Sequence, residues 1–183
     1  MIIVGIGGGT CSGKTTLTGR LEKALGAKYK VAVINMDTYF RWMTLYTTAP
    51  FTGIEYVDHN HPNVVDLDKF YAAVEAAISD TSNNVVLVEG LFALYFGKLR
   101  EKLDLKIFVD LGSDQRLYRR LKRHMAHGET MDEVGSRYLD TVRYRHDEFV
   151  EPTRWYADVI VNGSLDTHKG TDIIISHIEA RIL

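Results

Sequence analysis

The 183-residue sequence has one cysteine, three prolines and no long hydrophobic run. With a single thiol, Cys11, no internal disulfide can form, which removes oxidised scaffolds and fits a reducing cytoplasm. The longest unbroken apolar stretch, Leu91–Phe96, is six residues, against the roughly 18 that a membrane-spanning helix needs. The first apolar run, Ile2–Ile6, is too short for a secretion signal and runs straight into glycines. No sign of charge dominates, since 22 Lys and Arg face 24 Asp and Glu. Bulk electrostatics therefore recruits neither nucleic acid nor an anionic membrane. What is present is ordinary globular usage, 45% hydrophobic and 25% charged, in a length that buries roughly 70% of its unfolded surface. The expectation is one cytoplasmic domain spanning residues 1–183.

Short β-branched runs alternate with segments of helical period, the pattern of a parallel sheet with crossover helices. Strands are predicted at Ile2–Gly7, Lys30–Asn35, Val85–Val88, Leu105–Asp110 and Asp158–Val161. Each is apolar on both faces or nearly so, as helix-covered strands must be. Leu17, Leu21, Ala24 and Leu25 make one helical stripe. Asp66 can cap a helix over Leu67–Ile78, and Ser113 one that runs through Arg123. Thr130 and Glu133 have capping-box spacing and open a helix that should end before Pro152. The stretch Asp37–Asp66 has no clear period and is rich in aromatics: Tyr39, Phe40, Trp42, Tyr46, Phe51 and Tyr56. It reads as a long irregular functional loop.

Gly8-Gly9-Thr10-Cys11-Ser12-Gly13-Lys14-Thr15 fits G-x-x-x-x-G-K-[ST], between a predicted strand and a predicted helix. Glycines let backbone N–H groups wrap phosphate oxygens at a helix N-terminus. Lys14 can reach the β- and γ-phosphates of ATP, and the Thr15 hydroxyl can hold Mg²⁺. Thr10 stands where a dinucleotide-binding G-x-G-x-x-G needs its last glycine, and no guanine-reading Asn-Lys-x-Asp occurs. A kinase further needs an acceptor base, a second metal contact and cations for the moving phosphoryl group. Asp37 and Glu89 fall just past or at the ends of strands, at the carboxyl edge where α/β sheets bind ligands. Arg116, Arg119, Arg120 and Arg123 share one helix face, either as cations over the phosphates or as a solvated face. His59 and His61 beside Asp58 and Asp66 raise a weaker metal reading.

Several stretches together resemble the uridine kinase family of P-loop kinases. They are the phosphate loop through Thr16, Met36–Phe40, Asp58–Asp66, Val88–Leu94, Tyr138–Arg143 and Phe149–Ile160. The resemblance implies a P-loop NTPase fold: three α/β/α layers, a mainly parallel five-stranded sheet and a helical lid. It implies transfer of the γ-phosphate of Mg·ATP to a small metabolite, most simply the 5′-hydroxyl of a uridine- or cytidine-like nucleoside. Asp37 would be the base, with Lys14 and Arg123 catalytic. Gly8, Gly9, Thr10, Cys11, Ser12, Gly13, Lys14, Thr15 and Thr16 would hold ATP; Thr15 and Glu89 would hold Mg²⁺. Tyr39, Asp66, Arg120 and Arg137 would face the acceptor, Asp66 through the ribose diol. The expected partners are a small substrate and, at most, further copies of the chain.

Two departures bear on the substrate. The family's base-reading hairpin, between the helix after the diol aspartate and the Val-Glu-Gly strand, is reduced here to Asp80–Asn84. The family's Arg-Gly-Arg lid is replaced by His127-Gly128-Glu129. Nicotinamide riboside or another small hydroxylated metabolite is therefore an alternative acceptor, and a catalytically silent nucleotide-binding regulator an alternative role.

Overall fold

The computed structural model describes residues 1–41, 45–164 and 168–182. Among these there are seven strands: β1 (Ile2–Gly8), β2 (Val31–Asn35), β3 (Tyr46–Thr48), β4 (Glu55–Val57), β5 (Val85–Glu89), β6 (Leu105–Asp110) and β7 (Val159–Asn162). Five of them are the five predicted runs, with ends moved by a residue or so. They form a sheet ordered β2-β5-β1-β6-β7 in which every pairing is parallel.

The helices are α1 (Lys14–Leu25), α2 (Leu67–Ser79), α3 (Gly97–Arg100), α4 (Ser113–Met125), α5 (Met131–Arg137), α6 (Arg143–Arg145) and α7 (His168–Ile182). Alternation along each central strand divides the core. Val85 and Leu87 pack with Leu17, Leu21 and Leu25 of α1 and with Ile174 and Ile178 of α7. Val86 and Val88 face the other way, toward Phe70 and Val74 of α2. Three layers result, with β1 between β5 and β6 and its C-terminal end opening into the phosphate loop. No helix among the described residues is long and apolar enough to cross a membrane.

Four local expectations change. The two edge strands are half open to solvent, with Val33 and Ile160 exposed, because only central strands are covered on both sides and along both edges. Ala24 is exposed and Thr18 takes its place in the α1 stripe, its hydroxyl satisfied by the Lys14 carbonyl at 3.0 Å. Gly112, not Ser113, is the N-cap of α4. The stretch after Asp37 is not irregular throughout: β3 and β4 pair as an antiparallel hairpin. Tyr46, Phe51 and Tyr56 belong to this hairpin, while Trp42 lies outside the described residues.

The capping box at Thr130 and Glu133 is present. Helical structure then continues through π turns at Tyr138–Val142 and His146–Val150, flanking α6, into a 3-10 segment at Glu151–Tyr156 with Pro152 in its first turn. The buried residues explain the π turns. Val134, Tyr138, Val142, His146 and Val150 are all buried and recur every fourth position. In a 3.6-residue helix that spacing would swing the stripe by about 40° at each step. The wider i→i+5 turns absorb the drift and keep one face on the core.

Candidate active site

The phosphate loop owes its shape to its backbone. Gly8 and Gly13 have φ of 137° and 110°, values that disfavour any side chain. A Cβ on Gly8 would stand 2.5 Å from the Val109 carbonyl oxygen. Gly13 is the N-cap of α1 and supplies no side-chain cap, which leaves the first helical N–H groups available to an anion. Cys11 also has positive φ, 58°, the one non-glycine residue bent this way among those described. Such strain is characteristic of loops shaped for a ligand. Lys14 folds back so that Nζ donates to the Gly9 carbonyl at 3.0 Å. Burial lowers its pKa, against the pull of Asp37 and Glu89.

Three of the four α4 arginines back the loop, while Arg123 stays exposed. Arg116 and Arg120 are 4% and 8% exposed. Arg116 Nε donates to the Leu111 carbonyl at 3.0 Å, and its guanidinium lies where any Cβ on Gly9 would collide at 2.7 Å. Arg120 Nη1 donates to the Thr10 hydroxyl at 3.2 Å. Arg119 Nη2 donates to the Gly163 carbonyl at 2.9 Å, with Nη1 at 3.5 Å from both the Cys11 and Ser12 carbonyls. One helix thus braces the loop and joins it to the turn after β7. That turn approaches closely, since a Cβ on Gly163 would stand 2.3 Å from the Ser12 carbonyl oxygen.

These parts line a cavity of about 720 Å³, within the ordinary range for a small-molecule site. Thr10 to Thr16 form one wall, and Asp37, Glu89, Arg120 and Arg123 all reach the cavity. Gly8 and Gly9, predicted to hold ATP, are not among its lining residues. Glu89 is 3% exposed and accepts the Thr15 hydroxyl through both carboxylate oxygens, at 3.0 and 3.2 Å. Burial raises its pKa while Lys14 and Thr15 oppose the shift. Asp37 is exposed, presented by a 3-10 turn in which its own backbone N–H donates to the Asn35 side chain at 2.8 Å.

Three predicted acceptor residues lie outside this cavity's wall. Tyr39 packs edge-on against Phe70, ring centroids 5.7 Å apart. Asp66 caps α2 through Lys69 N–H at 3.3 Å and has Arg41 Nη2 at 3.4 Å and Lys69 Nζ at 3.6 Å. The Lys69 N–H bond, then Arg41, hold its carboxyl below the usual range. Arg137 gives Nη2 to Glu129 at 2.6 Å and lines a separate cleft with Tyr56. His61 is occupied structurally, its Nδ1 capping a 3-10 turn through Asn63 N–H at 3.1 Å. No cluster of three metal-ligating side chains occurs among the described residues.

The cavity also takes in Phe40, an aromatic of the predicted functional loop, His59, from the metal reading, and residues to which the sequence assigned no role. Phe40, His59, Asn60 and Leu91 border its Asp37 side, while Arg20, Asn162, Ser164 and Thr171 belong to its α1–β7–α7 side. The only signal for the second group was Asn-Gly-Ser directly after the last strand, at the sheet's carboxyl edge. His59 and Asn60 directly follow the β3–β4 hairpin, which is latched to the α5–α6 helix. Thr52 and Tyr56 hydroxyls donate to Asp140 at 3.0 and 2.8 Å. Arg145 donates to buried Asp58 at 2.8 Å and to the Thr47 hydroxyl at 3.2 Å.

Known proteins resemble this chain in sequence and in fold. The Phosphoribulokinase / Uridine kinase family model matches residues 71–168. The chain is 33% identical to a uridine kinase of Chlamydia pneumoniae over 98% of its length and 89% of that protein. It is also 33% identical to a uridine kinase of Deinococcus deserti, over 98% and 96%. The first alignment occupies 203 positions against 183 residues here, so that relative carries segments this chain lacks. Among solved structures, a possible uridine kinase from Bacillus stearothermophilus superposes with TM-score 0.53 at 19% identity, covering 88% of each chain. A proposed fructose transport system kinase from Silicibacter sp. TM1040 superposes with TM-score 0.66 at 17% identity, over 87% of this chain and 89% of that one. These two likenesses concern the fold. The sequence relationship goes further: the chain belongs to the phosphoribulokinase/uridine kinase family and is a phosphotransferase.

Proposed function

We propose that this protein is a Mg²⁺·ATP-dependent kinase that phosphorylates a primary hydroxyl of a small nucleoside-like metabolite. The observation that carries the reading is one cavity bordered by the phosphate loop, the Thr15–Glu89 pair and the free carboxylate of Asp37. A merely nucleotide-binding module has no use for an acid at Asp37.

The donor set suits Mg²⁺, a hard cation that takes hydroxyl and carboxylate oxygens and keeps several waters. Thr15 and Glu89 supply such oxygens, and when bound the ion would neutralise charge on the β- and γ-phosphates. The chain's own residues supply the rest. Loop N–H groups and the start of α1 bind the phosphates. Lys14 leaves the Gly9 carbonyl to meet the γ-phosphoryl group. Asp37 accepts the hydroxyl proton as the acceptor oxygen attacks phosphorus and the β–γ bridge bond breaks, with ADP leaving. Arg120 and Arg123 contribute positive charge toward the transferring group. Phe40, His59, Asn60 and Leu91 would recognise the acceptor.

The test is ADP release from Mg·ATP against uridine, cytidine, adenosine, nicotinamide riboside, pantothenate and simple sugars, with Asp37→Asn as control. Turnover on one acceptor, lost in Asp37→Asn while ATP still binds, is expected. Nucleotide binding with no turnover on any acceptor would favour the regulatory reading, which is motivated by Glu129 tying up Arg137 in the lid.

A further inference from the structure

The lid turn holds a group that this mechanism leaves unused. Between α4 and α5, the Glu129 carboxylate is gripped from two sides, by His124 Nδ1 at 2.5 Å and by Arg137 Nη2 at 2.6 Å. A carboxylate only accepts, so Nδ1 carries the hydrogen and the tautomer is fixed. The other ring nitrogen, Nε2, is buried and has no hydrogen-bond partner. His124 also belongs to the wall of the cavity that the phosphate loop opens into, beside Arg120 and Arg123. A neutral ring in this tautomer keeps a lone pair at Nε2, which repels any phosphate oxygen that approaches it. A protonated ring offers an N–H there instead.

We propose that His124, oriented by Glu129, is a proton-dependent ligand of the nucleotide's phosphate chain. Nucleotide binding draws one proton from the solvent onto Nε2, which then donates to a phosphate oxygen while Nδ1 keeps its bond to Glu129. In this way the lid gains a cation only when the anion is present. The inference rests on the kinase reading of the cavity.

The surroundings explain the switching. Arg120 and Arg123 face the ring from its own helix, Glu129 from the turn, and Arg137 of α5 shares the same carboxylate. Burial, then the arginines, hold the ring below the ordinary histidine range, against Glu129. Phosphate charge reverses that balance. Arg137 takes up part of the Glu129 charge, so the acid orients the ring without holding it permanently protonated.

The experiment is calorimetric titration of a Mg²⁺-bound, non-hydrolysable ATP analogue in buffers of different ionisation enthalpy near neutral pH. It should show net proton uptake by the wild type. Affinity should fall as pH rises, by up to about tenfold per unit, and His124→Gln should remove both effects and bind about tenfold more weakly at about pH 6. His59, also in the cavity wall, is controlled with His59→Gln, which should retain most of the uptake. His124→Lys should restore tight binding at about pH 8 without pH dependence, a rescue that a purely structural histidine would not allow. Glu129→Gln provides a second variant, and its midpoint should move to lower pH. Equal proton uptake in wild type and His124→Gln would overturn this inference alone. Wild-type protein that binds no nucleotide would overturn the kinase reading itself.

Discussion

The two sides of the cavity are built by opposite means. The phosphate side is one contiguous loop, shaped by glycine backbone and fastened from behind by three arginines of a single helix. The side proposed to take the acceptor is assembled from separate segments, with Asp37 and Phe40 after β2, His59 and Asn60 after the hairpin, and Leu91 after β5. A phosphate group is the same in every kinase, so a fixed cradle serves. An acceptor differs between kinases, and side chains on loops can change without disturbing the sheet. Chemistry should therefore fail when the first side or Asp37 is altered, and selectivity should drift when the second is altered.

The largest expected effect is on transfer itself. Asp37→Asn should lower kcat by about 10²–10⁴-fold, with ATP affinity kept, in a steady-state assay paired with calorimetry. An unchanged kcat would remove Asp37 from the reaction.

Beneath the phosphate side, His146 is 8% exposed, and burial followed by Arg116 pushes its pKa from 6.5 to about 4. Between those values the unfolded chain binds the extra proton, so this stability is fully present above about pH 6.5 and is lost as pH falls toward 4. The loss is about 3 kcal/mol by denaturant titration at a series of pH values, and His146→Phe should flatten that part of the curve. A wild-type stability flat across the window would show that the ring is solvated.

On the acceptor side, Asn60→Ala should leave the ATP KM alone and shift the kcat/KM ratio between two acceptors by about tenfold. Equal losses on every acceptor would make Asn60 part of the common machinery and break the division proposed here. The smallest effect concerns the latch. Asp140→Ala deprives the Thr52 and Tyr56 hydroxyls of their acceptor, which should cost about 1 kcal/mol in thermal unfolding and raise acceptor KM more than ATP KM.

The same division governs how much was legible in the sequence. The five sheet strands, α2 with its Asp66 cap and the Thr130–Glu133 box are local patterns, and they occur where residue type and spacing put them. So do Lys14, Thr15 and Glu89, because a loop between strand and helix leaves the backbone few choices. The arginines of α4 were visible as a face, but not whether that face met water or protein. That depends on Gly9 and Gly163 letting backbone and guanidinium come close, a tertiary fact. The hairpin was missed because β3 and β4 are three residues each and alternation has no length in which to show. His59 and Asn60 follow from it. Tyr39, Asp66 and Arg137 have the right residue types in the right order, yet their side chains are taken up by Phe70, by Arg41 and Lys69, and by Glu129.

The every-fourth stripe of the long helix has a consequence for the chain's tolerance of length change. A π turn is one residue more than an α-helix would use over the same rise, so it is a place where a residue can be given back. Deleting exposed Leu139 (45% exposed) would turn the first π turn into α-helix, with the buried stripe still facing the core. Asp140, however, would stand one position closer to Tyr138 and lose its alignment with the Thr52 and Tyr56 hydroxyls, releasing the hairpin. Such a deletion should melt only slightly below wild type, whereas one in α4, between Arg116 and Arg120, should prevent folding. The helix that holds the acceptor loop in place thus also contains the site at which evolution can let that loop go.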